Sequence, residues 1–142
     1  MGWGNERWER GKPRSDPIYR VPTHLLRVVE EQRGSAMLFM YESGKPTAPA
    51  IVFLHGAGLS GRKGQPQMEL LPDYYCLAPD LPEQGKSLHT GSFRLEDTAR
   101  QVVTLIDEKV PGKRAHLVGL SLGADLALAI TQIARYQMRC SL

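Results

Sequence analysis

A chain of 142 residues, 42% hydrophobic and 23% charged, is long enough for one domain with a real core, and that balance excludes a wholly disordered chain. The formal net charge of +3 is too small to mark a nucleic-acid binder, and acidic residues are interleaved with the basic ones of the N-terminal stretch. Two cysteines, Cys76 and Cys140, show no CxxC or Cys/His spacing; they suggest no metal site and fit a reducing compartment, the cytoplasm.

Residues 1–22 are polar, contain Pro13, Pro17 and Pro22, and read as a loosely ordered leader with no apolar signal-peptide segment. Residues 23–142 read as a single domain. His24 to Glu31 and Ser35 to Tyr41 suggest two strands joined at Arg33-Gly34. Three short, nearly continuous apolar runs follow: Ala50 to Leu54, Tyr74 to Ala78 and Ala115 to Gly119. Such runs fit strands buried on both faces, as in a parallel sheet.

Helical patterns alternate with these strands. From Arg94 to Lys109, Leu95, Ala99, Val102, Val103 and Ile106 recur at helical spacing. Ser92 is a candidate cap, Glu96 and Asp97 suit the positive N-terminal end, and Pro111-Gly112 ends the helix. A second helix should start at Ser121. Leu122, Leu126, Ile130 and Ile133 line one side and alanines and Leu128 fill the others, which predicts a buried helix. The alternation predicts an α/β fold with a doubly wound, mostly parallel sheet. The longest apolar stretch, Ala115 to Ile133, is interrupted by His116, Ser121 and Asp125, which argues against a membrane span.

Three segments carry chemistry. Gly119-Leu120-Ser121-Leu122-Gly123 matches G-x-S-x-G directly between a predicted strand and a predicted helix. A serine on so sharp a turn needs small neighbours, and the helix N-terminus beneath it favours developing negative charge. His55-Gly56-Ala57-Gly58 follows the strand Ala50 to Leu54, and Asp80-Leu81-Pro82-Glu83-Gln84-Gly85-Lys86-Ser87 follows the next strand.

In this order the three segments resemble the serine hydrolases of the α/β-hydrolase fold, over roughly residues 35–135. The resemblance implies that Ser121 is the nucleophile and that Gly119 and Gly123 are the elbow glycines. It implies an oxyanion loop of His55, Gly56 and Gly58, with the backbone N–H groups of Ala57 and Leu122 as oxyanion donors. His55 would then be structural. The segment from Asp80 resembles the family's D-x-P-G-x-G-x-S, with Glu83 for glycine and Gln84 for a frequent histidine, and would shape the pocket floor. The implied activity is hydrolysis of a carboxylic ester or related acyl compound, a small-molecule substrate, with no cofactor and no metal.

In this fold the catalytic acid and histidine follow the serine in the chain. After Ser121 there is no histidine, and Asp125 is the only acid. His24, His89 and His116 are poor substitutes, and a serine without a base is a weak nucleophile. The chain therefore reads as an N-terminal half lacking the later strands, inactive or weakly active by itself. Ala115 to Gly119 would become a sheet edge, which predicts self-association or dependence on a complementary C-terminal fragment.

Other readings compete. Gly56-Ala57-Gly58-Leu59-Ser60-Gly61 is a G-x-G-x-x-G, with Asp80 at the spacing of a dinucleotide-binding oxidoreductase. However, the polar, breaker-rich Arg62 to Gln67 follows where an apolar helix should run, so NAD(P) is not expected to bind. Gly85-Lys86-Ser87 resembles the end of a P-loop, but Asp80 occupies the required earlier glycine. A non-catalytic interaction module is the third possibility; it predicts partner binding without labelling of Ser121.

Overall fold

The computed structural model describes residues 27–29 and 37–140. Its strands are β1 (Arg27–Val29), β2 (Met40–Ser43), β3 (Ala50–Leu54), β4 (Tyr75–Pro79) and β5 (Ala115–Gly119). Its helices are α1 (Gln65–Glu69), preceded by a 3-10 turn at Gly61–Gly64, α2 (Leu95–Lys109) and α3 (Leu122–Cys140). The five strands form one sheet in the order β1-β2-β4-β3-β5. The three apolar runs pair in parallel, with Ile51 opposite Cys76 and Leu54 opposite Gly119. β1 and β2 add an antiparallel wing, Met40 facing Pro79 across the β2–β4 pair.

Both faces of the sheet are covered, which makes the fold α/β and doubly wound. On one face Val52, Leu54 and Leu77 pack with Val102 and Ile106 of α2 and Leu126 and Ile130 of α3. On the other face Ile51, Cys76 and Ala78 pack with Met68 of α1. Every residue of β4 is buried, in keeping with its continuous hydrophobicity.

Several local expectations shift. Of the strand predicted from Ser35 to Tyr41, residues 37–39 precede the ladder, which starts at Met40, and Ser35 and Ala36 lie outside the described residues; β4 starts at Tyr75 because the Tyr74 N–H donates to the Leu71 carbonyl in the preceding turn. Ser92 does not cap α2: the N-cap is Arg94, in extended conformation and without a side-chain cap bond, while Glu96 and Asp97 do occupy the first turn. Leu95 belongs to the helical repeat but stays 41% exposed at the end of α2. The breaker-rich segment after Gly61 nonetheless turns helically, because Pro66 sits in the first turn of α1, where a missing N–H has no consequence. α3 is not buried all round; Leu128 is 65% exposed. The leader 1–22 and the Arg33-Gly34 turn lie outside the described residues.

Candidate active site

Ser121 sits between the end of β5 and the first residue of α3, with φ 51°. This is the left-handed region, unfavourable for any residue with a Cβ. The turn is held by its backbone: Leu120 N–H donates to the Leu54 carbonyl (3.0 Å), Gly123 N–H to Leu120 (2.9 Å) and Ala124 N–H to Ser121 (2.7 Å). A Cβ on Gly123 would overlap the Leu54 carbonyl, and one on Gly119 would overlap the backbone of Gly123. The two flanking glycines are thus required by close backbone approach, and they let α3 start directly against β3.

The loop after β3 lies beside this turn. A Cβ on Gly56 would stand 3.6 Å from the Ser121 Cβ. Gly58 takes φ 72°, and its N–H donates to Gln84 Oε1 at 2.7 Å. Leu59 N–H donates to the Gly56 carbonyl (3.2 Å), closing the loop on itself. The N–H groups of Ala57 and Leu122, the latter the first residue of α3, donate to no acceptor among the described residues.

His55 is buried, and both its ring nitrogens are engaged by backbone. Leu81 N–H donates to Nε2 (3.0 Å), so that nitrogen carries no proton, and Nδ1 donates to the Gly56 carbonyl at 2.8 Å. A histidine used in this way has no free nitrogen to act as a base. It locks the β3 loop to the β4 loop.

Asp80 does the same one layer further out. It is fully buried, Oδ1 accepting from Gly61 N–H (2.6 Å) and Oδ2 from Lys86 N–H (2.7 Å). Fully buried and bonded to backbone through both oxygens, it is out of reach of a ribose hydroxyl, which removes the support for a dinucleotide fingerprint. Ser87, also buried, accepts from Phe39 N–H through its hydroxyl (2.9 Å). Glu83 takes φ 64°, which explains why glycine suits that position, and its carboxylate accepts from Phe93 N–H.

No described imidazole or carboxylate hydrogen-bonds to Ser121. His89 and His116 are exposed, the latter on the β5 edge, and Asp125 is exposed in the first turn of α3, its N–H donating to the Ser121 carbonyl (3.3 Å). Among the described residues no cluster of His, Cys, Asp and Glu could hold a metal ion. Sequence reasoning treated Gln84 as loop detail and missed it as the brace of the Gly58 loop. The only signal was its polar side chain where the resembling pattern has histidine.

The model of the Alpha/beta hydrolase family matches residues 51–139. The chain belongs to this family. An AB hydrolase superfamily protein of Gibberella zeae is 34% identical over 92 residues, 63% of this chain and 33% of the relative. The pimeloyl-[acyl-carrier protein] methyl ester esterase of Vibrio vulnificus is 39% identical over 80 residues, 56% of this chain and 29% of the relative. Among solved structures, the thioesterase domain from the curacin biosynthetic pathway superposes with a TM-score of 0.61 at 31% identity, over 66% of this chain and 35% of that one. The chain thus spans about a third of the length of the alpha/beta hydrolases it matches.

Proposed function

We propose that Ser121 is the nucleophile of a serine-dependent hydrolase acting on a carboxylic ester or a related acyl compound. The observation that carries this reading is the left-handed Ser121, held between glycines that no larger residue could replace and facing the Gly56 loop. Strain of this kind persists only where surrounding structure over-determines it, and it concentrates at functional sites. Family membership and the esterase and thioesterase relatives support the same chemistry.

In the reaction, Ser121 Oγ gives its proton to a base and bonds to the acyl carbon, which becomes tetrahedral as its carbonyl oxygen becomes an oxyanion; collapse expels the protonated leaving group, and water then hydrolyses the acyl-serine. The N–H groups of Ala57 and Leu122 are assigned to receive that charge. Neither donates to an acceptor among the described residues, and fixed donors of this kind stabilise the charge without reorganisation. The positive end of α3 adds to the effect. His55 and Asp80 keep the two loops in register. Activating Ser121 requires a base, and no histidine follows it in these 142 residues, so the 142-residue chain by itself should react slowly.

A fluorophosphonate probe tests the assignment. Slow labelling that disappears in Ser121→Ala is expected. Labelling that survives Ser121→Ala would remove Ser121 as nucleophile, and rapid labelling of the 142-residue chain would remove the need for a further base. Sequencing the genomic locus past the Leu142 codon tests the expected acid and histidine. A reducing compartment such as the cytoplasm is part of the proposal, supported by the free, buried thiol of Cys76. No described helix is long and apolar enough to cross a membrane.

A further inference from the structure

We propose that the open pocket beside the Gly58 loop is an anion subsite for the acyl substrate, with Arg62 and Lys63 as its cationic groups. The proposal rests on the hydrolase reading and extends it to substrate class. The pocket has a volume of about 490 Å³ and is lined by Gly58, Leu59, Ser60, Arg62, Lys63 and Gly85. Both cationic side chains belong to exposed residues, and neither forms an ion pair among the described residues; the pairs Arg94–Asp97 and Arg100–Glu96 lie at the start of α2. The Asp80 carboxylate, against Gly61 and Gly85, is fully buried and accepts from the N–H groups of Gly61 and Lys86. Two cationic residues thus line the pocket, and no described carboxylate is ion-paired to either.

Its position ties it to the serine. Gly58 in the pocket wall is two residues from Gly56, which adjoins Ser121, and two residues of chain span at most about 7 Å. The mouth is fixed as well: Gly58 is hydrogen-bonded to Gln84, whose neighbour Gly85 forms the opposite wall. An acyl group whose carbonyl is at Ser121 and whose tail carries a negative charge would extend that charge past Gly58 into the pocket that Arg62 and Lys63 line. A guanidinium binds carboxylate and phosphate alike through paired N–H donors. The shared ligand chemistry is an anionic oxygen group, supplied either by a carboxylate on the acyl chain or by a phosphate on a carrier arm.

Calorimetry on the 142-residue chain at low salt tests the proposal with two matched pairs: monomethyl against dimethyl suberate, and phosphopantetheine against pantetheine. The charged member of at least one pair is expected to bind and its neutral partner not to. Binding by the suberate half-ester alone identifies a carboxylate source, and binding by phosphopantetheine alone a phosphate source. The double variant Arg62→Gln, Lys63→Gln should weaken that binding at least about tenfold, the effect of losing one hydrogen bond between charged groups. Raising the salt concentration should weaken it in the parent chain as well. Equal binding of charged and neutral members, no binding of either anion, or an unchanged affinity in the double variant would each overturn the subsite. Anion binding that depends on Arg62 and Lys63, without Ser121 labelling, would keep the subsite and remove the hydrolase; Ser121 labelling without anion binding would do the reverse.

Discussion

Replacing Ser121 by glycine and by alanine separates backbone strain from side-chain chemistry. Ser121 is exposed and its hydroxyl bonds to no described group, so Ser121→Ala should change stability by less than about 0.5 kcal/mol. The alanine still carries a Cβ at φ 51°. Glycine does not, and relieves a left-handed penalty of about 1–2 kcal/mol. Against this, glycine gives the unfolded chain extra entropy, which costs about 0.4–1 kcal/mol. The net expectation is that Ser121→Gly is more stable than Ser121→Ala by about 0.5–1 kcal/mol. For a domain near this size that is about 1–4 °C in Tm. Thermal unfolding of the parent and both variants reads the difference, and both variants should lose probe labelling. If Ser121→Gly melts no higher than Ser121→Ala, the turn is not strained and the main support for a nucleophile elbow falls.

Asp80→Ala leaves the Gly61 and Lys86 N–H groups without their acceptor; each bond to a charged group is worth about 1.5–3 kcal/mol, so a loss of about 3–6 kcal/mol is expected in urea unfolding, with Asp80→Asn losing less. Gln84→Ala frees the Gly58 N–H at an exposed site; Ser121 labelling should slow several-fold while stability changes by less than about 1 kcal/mol, and Gln84→Glu, which keeps the acceptor, should restore the rate. Burial, and then its bond to Glu42, pushes the Tyr75 hydroxyl well above its ordinary value, and burial raises Tyr41 and Cys76 too. The unfolded chain releases these protons near about 8.5 for cysteine and about 10 for tyrosine, while the folded chain keeps them. Their contribution should therefore be complete below pH 8 and decline as pH rises through that range, with Tyr75→Phe flattening the part above pH 10; urea midpoints from pH 7.5 to 11 check it. Val118 and Leu120 stand 49% and 58% exposed at and just beyond the β5 edge, with Leu128 exposed on α3, so the 142-residue chain should self-associate. A monomer at every concentration in size-exclusion chromatography would refute this.

The parts of the fold governed by one-dimensional pattern were legible in the sequence. β3 and β5 begin and end where their apolar runs do, and α2 buries the predicted Ala99, Val102, Val103 and Ile106. The glycine pattern around Ser121 was legible because backbone approach restricts residue type there. What escaped the sequence depends on partners distant along the chain. The bond from Gly58 to Gln84 and the two bonds to Asp80 arise only once the β3 and β4 loops are side by side. Leu128 misled for a related reason: helical apolarity says which side chains could be buried, but covering them takes a neighbouring element, and Leu128 has none among the described residues. At Ser92 the candidate cap lost to Arg94, whose extended backbone makes the turn into α2.

The pairing of β3 with β5 joins segments between which β4 and α2 must first be laid down. Such a long-range closure is slow in folding, because loop entropy opposes it before any contact rewards it. Leu54 and His55, which lie against Gly123, and Gly119, which precedes Ser121, come from opposite ends of that closed loop. In a partly folded chain Ser121 is an ordinary hydroxyl on a flexible backbone, with neither its turn nor its donors in place. Its reactivity is thus a property of the completed crossover, created at a late step of assembly.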